Sequence, residues 1–177
     1  MIIETIKGDM VDLFSRGKKI AHGCNCFHAM ASGVAGDLAK AFPGIREVDD
    51  RTEFGDESKC GNFTVYRDHS TEGVCYNLYT QFNPGRDGSY GKIATAFENL
   101  NKMSKEFPSS FETGLYIPKI GAGIAGLEWH RVKAIIDAVT PNLPIILVEW
   151  KKPDSTKVNN TSPRKPFLGL DVMLLSE

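Results

Sequence analysis

Gly121-Ala122-Gly123-Ile124-Ala125-Gly126 stands between an apolar run, Leu115 to Ile120, that reads as a strand and a run, Leu127 to Val139, that reads as a helix. Three glycines in six residues at a strand-to-helix junction describe a phosphate cradle. Without a Cβ, their N–H groups approach an anion closely, and the following helix aims its free N–H groups and positive dipole end at the same place.

Working outward, short β-rich runs alternate with amphipathic ones. Strands are expected over Ile2 to Ile6, Lys19 to His22 (stopping at Gly23), Asn62 to Tyr66, Val74 to Thr80 and Ile145 to Trp150. Helices are expected over Gly33 to Phe42, ended by Pro43-Gly44, and over Tyr90 to Glu106, where Ile93, Phe97, Leu100 and Met103 recur at helical spacing. Asn83 to Ser89 is a turn-rich loop. This alternation predicts an α/β fold with a mostly parallel sheet covered on both faces, whose ligand lies beyond the carboxyl ends of the strands.

The whole chain sets limits on partners. Its 177 residues make one domain of ordinary size, 41% hydrophobic and 24% charged, as in a soluble globular protein. A net charge of −1 argues against electrostatic capture of nucleic acid or an anionic membrane, so any anion is held by local geometry. No apolar stretch has membrane-spanning length and the first residues lack a signal-peptide layout. Four cysteines, Cys24, Cys26, Cys60 and Cys75, are too few and too irregular for a disulfide framework, which favours reduced thiols in a cytoplasmic setting. From Lys151 onward Lys, Pro, Asn, Ser and Thr dominate, so residues 1–150 are read as the domain and 151–177 as a polar tail with a short docking segment at Phe167 to Leu175.

Known phosphate loops are rivals for the cradle. Gly121, Gly123 and Gly126 fit G-x-G-x-x-G, and Glu149 ends the next strand about where a dinucleotide fold places its ribose-binding acid. That fingerprint usually opens its domain, whereas one helix and one strand remain here. Leu127-Glu128 replace the Lys and hydroxyl residue of a nucleoside triphosphate loop, which argues against that hydrolysis.

A second junction, His22-Gly23-Cys24-Asn25-Cys26-Phe27-His28, leads through Ser32-Gly33-Val34-Ala35 into a helix N-terminus. Two such junctions on one sheet can grip two ends of one ligand. Cys24, Cys26, His22 and His28 raise a zinc reading, but cysteines one residue apart on a strand point to opposite faces. The plainer reading is two small buried hydrophobes, and no metal or cofactor is expected. Cysteine-phosphatase chemistry lacks its arginine, since Met30 and Ser32 occupy the relevant positions.

Lys7-Gly8-Asp9, His22 to Cys26, Ser32 to Ala35, and Ile117-Pro118-Lys119-Ile120 leading into Gly121 to Gly126 with Trp129 together resemble the macrodomain family over roughly residues 1–150. The resemblance implies a three-layer α/β/α fold with a mostly parallel mixed central sheet that binds ADP-ribose. It implies that Asp9, with Met10, meets the adenine amino group, and that Gly23, Asn25 and Phe82 line the distal ribose. Ser32, Gly33, Val34 and Ala35 would hold one side of the diphosphate, and Ile120, Gly121, Ala122, Gly123, Ile124, Ala125 and Gly126 the other. The chemistry is consistent: a carboxylate suits an exocyclic amine, an amide bridges hydroxyls, and helix N-termini suit a diphosphate. Asp9 also fits a helix N-cap ahead of Met10 to Phe14, and both roles are compatible.

The departures from the family narrow the activity. The branch that removes ADP-ribose from glutamate uses a lysine and an aspartate where this chain has Tyr79-Thr80-Gln81-Phe82 and Gly123-Ile124-Ala125-Gly126. A branch with a glycine triplet in the first loop fits poorly with Met30-Ala31-Ser32-Gly33. The chain looks most like the small phosphatases acting on ADP-ribose 1″-phosphate and related phage and bacterial proteins. That resemblance implies hydrolysis to ADP-ribose and phosphate, with Asn25 orienting the ribose and His28 as general acid or base. His22, inside a strand, ranks lower, and His28 also fits a plain surface-loop histidine. The alternatives are a non-catalytic reader of ADP-ribose or ADP-ribosylated protein, and a hydrolase of another ADP-ribose derivative such as ADP-ribosyl-protein or O-acetyl-ADP-ribose.

Overall fold

The structure, a computed structural model, describes residues 1–151, so the expected tail beyond Lys151 and its docking segment lie outside the described residues. Six strands, β1 (Ile2–Gly8), β2 (Lys19–Cys24), β3 (Phe63–Arg67), β4 (Val74–Tyr79), β5 (Leu115–Ile117) and β6 (Ile145–Trp150), form one sheet in the order β1-β6-β5-β2-β4-β3. Every neighbouring pair is parallel except β3 with β4. Five α-helices cover it: α1 (Met10–Ser15), α2 (Gly33–Ala41), α3 (Pro43–Asp50), α4 (Tyr90–Glu106) and α5 (Trp129–Val139).

Strand alternation distributes the core between two faces. In β4, Val74, Tyr76 and Leu78 pack with Ile93, Phe97 and Leu100 of α4 and with Val132 and Ile136 of α5. Cys75 and Tyr79 of the same strand turn the other way, toward Phe14 of α1, Leu38 of α2 and Ile45 of α3. The period-two pattern therefore builds the three-layer α/β/α arrangement expected from the sequence. A buried histidine is accommodated in the middle of the sheet: His22 Nε2 lies 2.8 Å from Asn77 Oδ1, and burial holds its pKa below the ordinary histidine value.

Most boundaries shift by a residue or two from the sequence reading, and those nearest the site have identifiable causes. Strand β2 continues through Gly23 to Cys24, because its ladder with β4 runs on to the Cys24–Tyr79 pair. Pro43-Gly44 ends α2 but also opens α3, with Pro43 in the first turn, where its missing N–H has no helical partner to lose. Strand β5 stops at Ile117 rather than Ile120, and α5 begins at Trp129 rather than Leu127. The glycine cradle is therefore a free-standing loop and not the first turn of the following helix.

Candidate functional site

Because the strands around the centre run parallel, their carboxyl ends collect the singled-out residues on one edge: Asp9 after β1, Asn25 after β2, Phe82 after β4, Ile120 to Gly126 after β5. At the β1 end, Asp9 caps α1, its Oδ1 accepting N–H bonds from Val11 at 2.8 Å and Asp12 at 3.0 Å. Its second oxygen has no protein partner among the described residues. A shallow cleft opens beside it, lined by Gly8, Asp9, Met10, Val34, Pro118 and Trp150 among others. The β1–β6 register sets Gly8 opposite Trp150, so the indole, 68% exposed, flanks the carboxylate.

The second loop is shaped by its own backbone. Leu127 N–H donates to Gly121 O at 2.8 Å and Gly126 N–H to Gly123 O at 3.1 Å, with Gly121 and Gly126 at φ 77° and 81°. The consecutive N–H groups of Gly123, Ile124 and Ala125 meet no protein acceptor among the described residues, a concavity suited to an anion. The loop after β4 braces it: Gly88 N–H donates to Ala125 O at 3.1 Å, and Arg86 lies against Gly126.

The first loop faces the second. Gly33 has φ 61°, and a Cβ built on it would stand 3.8 Å from Ile124 Cδ1 across the gap. Ser32 is the N-cap of α2 yet its hydroxyl makes no capping bond, which leaves the first-turn N–H groups of Val34 and Ala35 bare. Gly23 allows close packing beneath, since a Cβ there would meet Thr80 Oγ1 at 2.7 Å and Ile120 Cγ2 at 3.3 Å.

The Asn25 end is differently built. Asn25 Oδ1 accepts from Phe27 N–H at 2.9 Å and Ala29 N–H at 3.3 Å, while Nδ2 donates to Ala29 O at 3.0 Å. The amide thus holds its own loop in shape, leaving one N–H for other use. His28, at φ 55°, seats its imidazole under Phe54 with Nε2 3.0 Å from Thr52 Oγ1 and 3.3 Å from Lys59 Nζ; Nδ1 is 3.9 Å from Asp50 Oδ1. A non-glycine residue in the left-handed region costs roughly 1 kcal/mol, here offset by those ring contacts. Behind it Thr52 Oγ1 donates to Asp49 O at 2.7 Å, and Tyr79 OH donates to Asp49 Oδ1 at 2.6 Å. Asp49 is fully buried with Oδ2 unpartnered, and burial raises its pKa above the usual carboxylate range.

Phe82 is fixed from both sides. Its N–H and that of Asn83 donate to Asp87 Oδ2 at 3.1 and 2.7 Å, its carbonyl accepts from Cys26 N–H at 3.0 Å, and its ring meets Phe27 edge-on at 5.0 Å.

One reading of the residues is corrected. Cys26 lies beyond the end of β2, so strand alternation does not apply to it, and both Cys24 and Cys26 are buried in the α1–α3 face of the core. The four side chains of the zinc reading nevertheless have separate partners: His22 with Asn77, Cys24 Sγ with Leu78 O, Cys26 Sγ with Cys60 Sγ, His28 with Thr52. Glu149, the acid of the dinucleotide reading, pairs with Lys119 at 2.9 Å, whose hydrogen bond and charge hold its pKa low.

No protein-family model matches the sequence. Over 154 residues the chain is 44% identical to an uncharacterised 17.5 kDa protein from the tk-vs intergenic region of Enterobacteria phage T4, covering 85% of this chain and 98% of that protein. It is 23% identical over 147 residues to the ADP-ribose 1″-phosphate phosphatase of Lodderomyces elongisporus (77% of this chain, 92% of the other). It is 27% identical over 139 residues to the human ADP-ribose glycohydrolase OARD1 (77% and 83%). In structure it matches the macrodomain of Thermus aquaticus DarG with a TM-score of 0.66 at 18% identity, covering 84% of this chain and 98% of that one. The chain has the macrodomain fold.

Several residues of this macrodomain site escape the sequence reading. Trp150 belongs to the cleft only through the β1–β6 register, and Arg86 reaches the cradle only through a bend in the loop after β4. Thr52, just past α3 and bonded to Asp49, and Lys59 meet His28 from two separate segments. The one sequence signal for any of these is the aromatic ending of the last strand.

Proposed function

We propose that this macrodomain binds ADP-ribose and hydrolyses ADP-ribose 1″-phosphate to ADP-ribose and phosphate. The clamp carries the reading: two glycine loops with unpaired N–H groups, facing each other at Gly33 and the Ile124 side chain, lie between an acid-and-indole cleft and the Asn25 loop. Asp9, through its unused oxygen, takes the adenine amino group beside Met10 and Trp150. Ser32 to Ala35 and Ile120 to Gly126 hold the diphosphate, and Gly23, Asn25 and Phe82 the distal ribose. The names of the yeast and human relatives support an ADP-ribose derivative as substrate.

In the hydrolysis, water attacks phosphorus and the ribose oxygen leaves with a proton. His28 serves as acid or base through Nδ1, the nitrogen facing Asp50 at 3.9 Å, since Nε2 is turned to Thr52 and Lys59. That same engagement of the ring favours a second reading, a binder of ADP-ribose or ADP-ribosylated protein without turnover.

Calorimetric titration with ADP-ribose, run beside phosphate release from ADP-ribose 1″-phosphate by wild type and His28→Ala, tests both. Binding with phosphate release that falls 10²-fold or more in the variant is expected for a positioned histidine, roughly the usual general acid–base contribution. Equal rates remove His28, binding without release leaves the reader, and no binding sinks the ligand assignment.

A further inference from the structure

Two thiols from distant parts of the sequence meet beside the Asn25 loop. Cys26 Sγ stands 3.5 Å from Cys60 Sγ, and both are free thiols, Cys26 buried and Cys60 partly exposed. A disulfide places its sulfurs about 2.05 Å apart, so closure needs an approach of only roughly 1.5 Å. The other two cysteines are fully enclosed and hydrogen-bonded elsewhere, Cys24 Sγ to Leu78 O at 3.3 Å and Cys75 Sγ to Asn77 Oδ1 at 3.7 Å.

We propose that Cys26 and Cys60 form an oxidative modification site, closing to an intramolecular disulfide when the protein meets a hydroperoxide or a low-molecular-weight disulfide. With hydrogen peroxide, Cys60, the exposed partner, is oxidised to the sulfenic acid with release of one water. The Cys26 sulfur then attacks that sulfur, the S–S bond forms, the S–O bond breaks, and the hydroxyl leaves with the proton as a second water. With a low-molecular-weight disulfide, Cys60 first forms the mixed disulfide, and Cys26 displaces the second thiol. Burial, followed by its contact with Cys60, pushes the Cys26 thiol up to about 12, so ring closure is the slow step at neutral pH.

Its effect on the site follows from what each cysteine is tied to, and rests on the proposed ligand. The Cys26 main chain is held on both sides, its N–H by Phe82 O at 3.0 Å and its carbonyl by Gly55 N–H at 2.9 Å. The Cys60 segment is tied as well, Cys60 N–H to Glu57 O at 3.0 Å and Gly61 N–H to Tyr79 O at 2.9 Å, so closure strains both segments and shifts Lys59, whose ammonium sits 3.3 Å from His28 Nε2. The wall beside the distal ribose shifts, and ADP-ribose is held less well when the bridge is closed.

The test treats the full chain with hydrogen peroxide or oxidised glutathione for hours, then alkylates it unfolded and maps it by mass spectrometry. Expected are a 26–60 linked peptide, alkylated Cys24 and Cys75, reversal by dithiothreitol, and an ADP-ribose affinity at least threefold lower while bridged. Cys60→Ser forms no bridge and keeps the affinity of the reduced protein under oxidant, and Cys26→Ala behaves likewise if folded. Failure of the 26–60 peptide to form in folded protein overturns the proposal, and a bridge with unchanged affinity overturns its consequence. If the reduced protein does not bind ADP-ribose, the ligand assignment fails, and the linked peptide alone decides the thiol pair.

Discussion

The two ends of the carboxyl edge are built on opposite plans. At the Asp9 end the polar groups hold something in reserve: a carboxylate oxygen beyond its cap, an indole 68% exposed, and three consecutive N–H groups in the neighbouring loop. At the His28 end they are turned on one another. Asn25 spends three hydrogen bonds on its own loop, and His28, Thr52, Lys59 and Tyr79 form a connected set around a buried Asp49. Spare hydrogen-bonding capacity in an accessible cleft is what a ligand uses, whereas a cluster whose groups bond one another, with its spare acceptor Asp49 Oδ2 buried, supplies shape. The contrast predicts that affinity resides in the cleft and the clamp, and that the His28 end decides what happens to the ligand's far terminus.

The largest effect expected is at the join of the two loops. Gly33→Val forces a branched side chain into φ 61° and toward Ile124, covering the N–H groups of α2. ADP-ribose affinity should fall by about 100-fold, equivalent to roughly 2.8 kcal/mol. The left-handed conformation itself adds about 1–2 kcal/mol of instability, visible as a lower unfolding midpoint. Calorimetry that finds unchanged affinity means the diphosphate lies elsewhere.

Asp9 comes next, because its two oxygens have separable duties. Asp9→Ala removes the cap, at about 1 kcal/mol of stability, together with the ligand acceptor, and affinity should fall roughly tenfold or more. Asp9→Asn keeps a capping oxygen and leaves the second position as a donor. It should lose affinity to a similar degree with little change in melting. If both variants bind normally, the spare oxygen is not used.

A pH titration probes the sheet on which both ends are mounted. The folded pKa of His22 lies below its ordinary value of 6.5 because burial disfavours the imidazolium. The unfolded chain therefore binds this proton more strongly, and the stability linked to the neutral ring is complete above pH 6.5 and lost as pH falls below it. The slope cannot exceed about 1.4 kcal/mol per pH unit for one group. Melting curves between pH 7 and 5 should show the decline, and His22→Gln should flatten it. An equal slope in the variant assigns the acid sensitivity to another group.

What the sequence made legible follows the same division. The alternation of β4 and the spacing of Ile93, Phe97 and Leu100 are local patterns, and they located both faces of the core. The glycines of the two loops were legible because a positive φ excludes most other residues. Helix α3 was hidden because Pro43-Gly44 signals both the end of one helix and the start of another, and only packing of Ile45 and Val48 distinguishes them. Trp150 depends on strand register, and the set around His28 on the convergence of the Asp49–Thr52 stretch with Lys59 and with Tyr79 of β4. Neither kind of information is local, so the reading placed the loops along the strand ends and missed the contacts that hold His28.

The smallest effect expected is the sharpest check of the contrast. His28→Ala removes a side chain only 13% exposed whose recorded partners, Thr52, Lys59, Asp50 and Phe54, all lie outside the two glycine loops. It should change the affinity for ADP-ribose less than twofold, or under about 0.4 kcal/mol, whatever it does to phosphate release. A tenfold loss means that the imbedded ring contacts the ligand or that its removal lets the Asn25 loop collapse. His28→Gln, which retains a donor near Thr52 Oγ1, separates those outcomes: restored affinity points to support of the loop, and continued loss to direct contact. In the first case the closed end contributes through shape, as its inward-turned hydrogen bonding implies. In the second, His28 belongs with Asp9 among the groups that hold the ligand, and the division between the two ends fails.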